Sequence, residues 1–345
     1  MPEVSLPIVL LEGSPLDRGR QHGARFREEI AAALGALRRT HAPAAHAAAR
    51  ERAQAAWPLI LKLAPAVAAE LQGIAEGCGA EPTDILLRVG FEFFDAPPSA
   101  GCTAIACQGP EGAIVAQNWD APPEVGKELA LFIHMGAHGF EQAVIASVGG
   151  LAWVGCNRHG LALLNTDLML RSRAPGLPSQ VVRRLVLGER QVEDALAVLG
   201  ALPHMAGRFY LLGDATGAIA GVEVSATRGL RATRGPGPIL HTNHALHPDI
   251  GEDEDEDALT KTYPSSRHRL DVLRCIAAGV SATDHIAASL GNREGFPNSI
   301  CKSRSDAEPS QTTFSIIAEC RRRVLRVCPG SPAEQAYYPI LLPAS

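Results

Sequence analysis

The chain has 345 residues, 46% hydrophobic and 20% charged, with 32 basic against 37 acidic side chains and a formal charge of −5. That is the make-up of a folded, soluble body with material for a large core. Six of the acids form one run at 252–257, so the remainder sums to −5 + 6 = +1, and no electrostatic case exists for a nucleic-acid partner.

The opening "MPEVSLPIVLLEG" has no basic flank, which argues against a secretory signal and for a first strand. "GSPLDRGRQHG" then starts a helix, with Ser14 as N-cap, Pro15 at the first helical position and Asp17 placed to close a capping box. Ala-rich sequence over 44–76 predicts one or two more helices, with Pro58 and Pro65 as breaks or starts. Another helix is expected over 83–95, capped by Thr83.

From Cys102 the pattern becomes hairpins. "CTAIACQ" and "GAIVAQNW" flank the turn "GPEG". Four strand-like runs follow between 128 and 167, two helices over 179–202, and a hairpin turning at 214–217. The acidic run reads as a solvated, mobile loop, which also offers a field that would steer cationic amines. Helices near 264–279 and 283–290 and a last hairpin from "TTFSIIAEC" close the chain. Alternating blocks of helices and hairpins imply an α+β protein with largely antiparallel sheets and helices outside them, in a single domain. No run approaches the ~20 apolar residues of a membrane span. The eight cysteines include no C-x-x-C pair, so free thiols in a cytoplasmic setting are expected, with no disulfide framework, metal or cofactor.

The stretch "SAGCT" draws the eye to chemistry. Ser99, Ala100 and Gly101 are small, and a thiol follows at the mouth of a hairpin. If the chain breaks between Gly101 and Cys102, one residue carries both a thiol, of ordinary pKa ~8.5, and an α-amine, at about 7.7–8.0. The amine can then take the thiol proton, and no separate histidine is needed. Attack of the thiol on the Gly101 carbonyl requires the preceding backbone to fold back closely, which glycine tolerates best.

"GCT", "NWD" with its aspartate eighteen residues beyond the cysteine, and "HTNHAL", together with the opening Gly-x5-Gly-x3-Gly of "GSPLDRGRQHG", resemble the acyl-coenzyme A:6-aminopenicillanic acid acyltransferase family over roughly residues 10–325. The resemblance implies the N-terminal nucleophile hydrolase fold, an αββα sandwich. It also implies self-cleavage into a heterodimer of 1–101 and 102–345. Cys102 would be autoprocessing residue and acyl acceptor, Asp120 the holder of the α-amine, and Asn243 the oxyanion donor. A cationic residue is expected in "NSICKSR", where Lys302 stands in place of arginine and Arg304 is the alternative; lysine does not replace a planar guanidinium fork. The substrates implied are small N-acyl amides or acyl thioesters, with acyl-coenzyme A as a donor.

Other residues have competing readings. Thr103 is placed to hydrogen-bond near the scissile bond. Trp119 and Trp153 are candidates for an acyl pocket or for plain core. Cys107, on the opposite strand face, and the other six cysteines read as core. His241 and His244 read as local hydrogen-bonding groups, and His22 as a packing or hydrogen-bonding residue. Two functional alternatives remain open: a catalytically silent binding protein that keeps the fold, favoured by the Lys302 departure, and an uncut papain-like protease using a His–Asn pair from "HTNH".

Overall fold

The computed structural model describes residues 6–94, 101–305 and 309–342; Ser99 and Ala100, whose smallness drew attention to the scissile bond, lie outside them. The helix Pro15–Arg25 starts as its sequence dictates. The Asp17 N–H donates to the Ser14 hydroxyl oxygen at 3.2 Å, and that hydroxyl donates to the Asp17 carboxylate at 2.5 Å. The opening glycines have distinct uses. Gly13, at φ +93°, turns the chain from strand into helix. Gly19 and Gly23 lie against Gly73 and Gly77 of the helix Pro65–Cys78, where a methyl on Gly19 would collide with the Glu70 carbonyl and one on Gly23 with that of Ile74. The two helices therefore cross in backbone contact.

Pro65 does begin a helix, but Pro58 breaks nothing and sits inside the helix Pro43–Leu63. The helix expected over 83–95 is shorter, Pro82–Val89, with Glu81 rather than Thr83 at its cap; after Gly90 a 3₁₀ turn, Phe91–Phe93, replaces the rest.

Two sheets form the centre. The eight-stranded sheet runs, edge to edge, Ile8–Glu12, Leu129–Gly136, Gly139–Ser147, Val154–Asn157, Ala162–Asp167, Arg208–Gly213, Ile219–Ser225 and Gly229–Thr233. Its first pair is parallel and the rest antiparallel. The six-stranded antiparallel sheet runs Ile239–His241, Gly101–Gly109, Gly112–Ala121, Gln311–Glu319, Val324–Pro329 and Tyr338–Leu341. One core lies between the N-terminal helices, with Ser179–Val186 and Val192–Ala201, and the large sheet. A second lies between the sheets, and a third between the small sheet and the helices Ser266–Ile276 and Thr283–Leu290. Three apolar layers in series make the αββα sandwich. Among the described residues no helix is long and apolar enough to cross a membrane.

Strand alternation sorts the cysteines: Cys102 faces the core between the sheets and Cys107 the core beneath the helices. The expectation that the others are core fails at Cys275, which is exposed, and Cys78 is only half-buried. The acidic run is not a solvated loop either. Asp253 is buried and accepts from the Ser172 N–H at 3.2 Å and the Ser225 hydroxyl at 3.1 Å. Asp255 caps the helix Glu256–Thr262, and Glu252 pairs with Arg228 at 2.7 Å. Arg267 takes both Glu254, at 3.3 Å, and Glu256, at 2.7 Å. Arg228 and Arg267, arriving from distant segments, offset part of the charge of the run, while Glu252, Glu256 and Asp257 stay exposed.

Candidate active site

Hairpin register builds the site. In the pair Gly101–Gly109 and Gly112–Ala121, Gly101 stands opposite Asp120 and Cys102 opposite Trp119. The short strand Ile239–His241 runs antiparallel on the other side with His241 opposite Ala104, so the chain continuing from it passes Thr103 and then Cys102. That path delivers Asn243. The Cys102 backbone N–H donates to Asn243 Oδ1 at 2.9 Å, while the Asn243 Nδ2 group donates to the Asp167 carbonyl at 3.3 Å. Both neighbours of Oδ1 are donors, which fixes the orientation of the amide. The Ser266 hydroxyl, at the start of a helix, accepts from the Asn243 N–H at 2.9 Å and holds the loop down.

Asp120, fully buried, accepts from the Thr312 hydroxyl at 2.8 Å, and Thr312 in turn accepts from the Lys302 N–H at 3.0 Å. The other oxygen of Asp120 lies 3.4 Å from where a Cβ on Gly101 would be, with Arg269 Nη2 and Asn243 Oδ1 each at 3.7 Å. These are ordinary contacts, so the surroundings admit a methyl. Lack of room among these groups therefore does not account for glycine at 101.

The cation at this site is Arg269, which sequence reading missed. Its Nη1 donates to the Cys102 carbonyl and, at 2.8 Å, to the Thr103 hydroxyl; its Nη2 donates to Asn243 Oδ1 at 2.8 Å, and its Nε to Ser265 at 3.0 Å. One guanidinium thus fixes Cys102, Thr103 and the Asn243 amide. A signal for it existed. Ser266, Arg269, Leu270 and Leu273 share the buried stripe of one helix, and a charged residue on such a stripe needs a partner inside the protein.

The two expected cations differ. Arg304 is exposed and pairs loosely with Glu124 at 3.8 Å, so the role suggested for it has no support. Lys302 is buried, with its ammonium 3.4 Å from the Ser310 hydroxyl and its N–H on the Thr312 hydroxyl that also holds Asp120. The Thr103 hydroxyl accepts from Arg269, beside Cys102.

Burial pushes the Cys102 thiol well above its ordinary pKa; Asp167 and then Asp120 push it further, and Arg269 and Gln117 pull it back. At neutral pH this sulfur holds its proton and needs a base. The histidines of "HTNH" do not supply one. His241 Nδ1 contacts Thr166 Oγ1 at 2.7 Å and its Nε2 contacts Glu223 at 3.2 Å, with the ring stacked on Phe209 at 3.7 Å. His244 Nδ1 meets Ser266 Oγ at 2.8 Å, and burial lowers its pKa to about 4. His22 accepts the Gly149 N–H on Nε2 at 2.8 Å and stacks on Phe132 at 4.3 Å; burial lowers it to about 4. All three hydrogen-bond locally as expected, and among the described residues the His–Asn pair of a papain-like protease is not formed.

An aromatic row starts opposite Cys102, at Trp119. Trp119 packs 5.7 Å from Trp153 and 5.4 Å from Phe314, and Trp153 lies 6.4 Å from Phe91. Trp119 is buried, whereas Trp153 and Phe91 keep partial exposure.

A model of the family described as acyl-coenzyme A:6-aminopenicillanic acid acyl-transferase matches residues 107–334. The chain belongs to that family. It is 28% identical to the 40 kDa form of acyl-coenzyme A:6-aminopenicillanic-acid-acyltransferase from Emericella nidulans, over 94% of this chain and 92% of the relative. Among solved structures, a Caenorhabditis elegans N-acylethanolamine-hydrolyzing acid amidase ortholog covers 70% of this chain and 100% of its own, at 12% identity and a TM-score of 0.44. A penicillin V acylase from Agrobacterium tumefaciens covers 66% and 82%, at 14% identity and 0.40. At those scores the architecture stands on the sheet order and the three cores, not on the likenesses.

Proposed function

We propose that this family member is an autoprocessed cysteine amidohydrolase or acyltransferase that carries acyl groups as a thioester on Cys102. The observation that carries the reading is the Cys102 backbone nitrogen itself. It is held by Asn243 Oδ1 at 2.9 Å with Arg269 bracing the same amide oxygen at 2.8 Å. A side-chain acceptor from a distant loop, fixed on one main-chain N–H inside a strand, suits an atom that becomes an amine.

In processing, the Cys102 sulfur attacks the Gly101 carbonyl carbon, its proton passes to the departing nitrogen, and the C–N bond breaks to leave a thioester and an α-amine. Water then opens the thioester, giving a Gly101 carboxylate and restoring the thiol. In turnover the amine takes the thiol proton, the sulfur adds to the substrate carbonyl, and the amine returns the proton to the leaving nitrogen. Asn243 would serve by both ends, with Oδ1 orienting the amine and Nδ2 donating to the oxyanion, a contribution of about 2.7–4 kcal/mol for such donors. Asp120, oriented by Thr312, would hold the amine near the sulfur. Water or an amine completes the cycle on small N-acyl amides or acyl thioesters; the relative's name, with acyl-coenzyme A and 6-aminopenicillanic acid, supports a thioester donor and an amine acceptor.

The test is covalent. A thiol-directed acyl analogue should label the processed protein at Cys102, and Cys102→Ala should stay full length. Labelling elsewhere, or cleavage persisting in Cys102→Ala, would overturn the reading.

A further inference from the structure

Beside the aromatic row lies a group of buried polar atoms that the proposed chemistry does not use. Arg183, on the helix Ser179–Val186, is 0% exposed. Its Nη1 donates to the Ala152 carbonyl at 3.1 Å, and its guanidinium sits 5.3 Å over the Trp153 ring. Nε and Nη2 have no hydrogen-bond partner among the described residues. Those two nitrogens form the side-on edge of the fork, the one that presents two parallel N–H groups to a carboxylate. The Tyr210 and Ser179 hydroxyls, both buried, are also without partners. Burial pushes Tyr210 up to about 12, with Arg183 the largest opposing influence, so the phenol is an available O–H donor at neutral pH.

The local acids do not meet this edge. Glu92 Oε1 lies 2.8 Å from Arg208 Nη2, and Asp167 Oδ1 lies 3.3 Å from Arg208 Nε. Both carboxylates lean on Arg208; they balance charge across the cluster but satisfy none of the Arg183 N–H groups. An unmet donor pair in a dry interior is costly. A cavity of about 380 Å³, with Arg52, Ala55, Leu59, Arg173 and Met205 among its walls, ends at Glu92, which Arg208 joins to this cluster; Arg183 and Tyr210 lie behind it and do not line it. From the other side, partly exposed Phe91 and Trp153 connect the cluster to Trp119, the cross-strand neighbour of Cys102.

We infer that Arg183 and Tyr210 form a carboxylate-recognition subsite, one aromatic row away from Cys102, that selects substrates bearing a free carboxylate. The inference builds on the proposed acyl chemistry for its meaning, but the subsite exists or fails independently of it. The carboxylate belongs either to the amine part, as in an N-acyl amino acid, or to the acyl part, as in a monoamide of a dicarboxylic acid.

The experiment measures binding and processing separately. Mass spectrometry first fixes whether the purified protein is cut. Equilibrium binding is then measured for an N-acyl amino acid, a dicarboxylic monoamide and the methyl ester of each, with the wild type and with Arg183→Met. The expected result is that one free acid binds about 10- to 100-fold tighter than its ester, that Arg183→Met erases the difference, and that its melting temperature does not fall. Which acid shows the preference assigns the carboxylate to the amine or the acyl side. Equal affinity of acid and ester in the wild type, or a preference that survives Arg183→Met, overturns the subsite. An uncut, inactive protein that still prefers the acid through Arg183 sinks the proposed chemistry and keeps the subsite. A cut, active protein indifferent to the carboxylate does the reverse.

Discussion

Arg183 and Arg184 are neighbours on one helix, at 0% and 6% exposure, yet they are solved differently. Arg184 lays both Nη groups on Glu70, each at 2.7 Å, with His134 Nδ1 a further 3.3 Å contact. Its Nε has no partner either, but its charge is met. Arg183 meets one carbonyl and an indole face. Burial alone therefore does not say what an arginine is for; the origin of its partner does. Glu70 comes from the helix Pro65–Cys78, inside the segment that processing would release, so Arg184 would tie the two fragments of a processed chain together, whereas Arg183 keeps an edge open.

Breaking the paired member should have the largest effect. Glu70→Ala strands a buried guanidinium and should cost about 3–5 kcal/mol, read as a lower denaturation midpoint and, after processing, as weaker retention of the 1–101 fragment. A loss under 1 kcal/mol would put Arg184 in the same class as Arg183. Next come the atoms around the nucleophile. Asn243→Ala should lower kcat by about 10²–10³-fold in processed enzyme, and Arg269→Met should slow processing, because Cys102, Thr103 and Asn243 lose their common brace. Unchanged processing in Arg269→Met would reduce that arginine to packing.

His22 sharpens the comparison through pH. Its Nε2 must stay an acceptor for the Gly149 N–H, and its pKa falls from about 6.5 to about 4 on folding. The unfolded chain thus binds the proton first. The stabilisation is complete above pH 6.5 and declines by about 1.4 kcal/mol per pH unit down to about pH 4. His22→Gln, which keeps an acceptor, should flatten that slope in urea titrations at pH 7, 6 and 5; an unchanged slope would assign it to other groups. The smallest effect belongs to Arg304. Its exposed, loose pair with Glu124 predicts a change within about 0.5 kcal/mol and normal processing for Arg304→Ala.

Local chemistry decided what the sequence revealed. The hairpins announce themselves through turns such as "GPEG" and "DATG" and through alternation, and Cys102, Asp120 and Asn243 through motifs on or beside them. The strands Gly229–Thr233 and Ile239–His241 were not legible: the first is largely polar and solvent-facing, the second three residues long. Reading 252–257 as solvated failed because Arg228, Arg267, Ser172 and Ser225 arrive from elsewhere in the chain. Arg269 escaped for the same reason, since two of its partners, Cys102 and Thr103, lie at least 166 positions away; its place on a buried stripe was the one clue at hand.

The most direct measurement is the intact mass of purified wild-type protein, followed by the N-terminal sequence of the larger piece. The account predicts two fragments, 1–101 and 102–345, with cysteine first on the second. A full-length chain that turns over an acyl amide would contradict it.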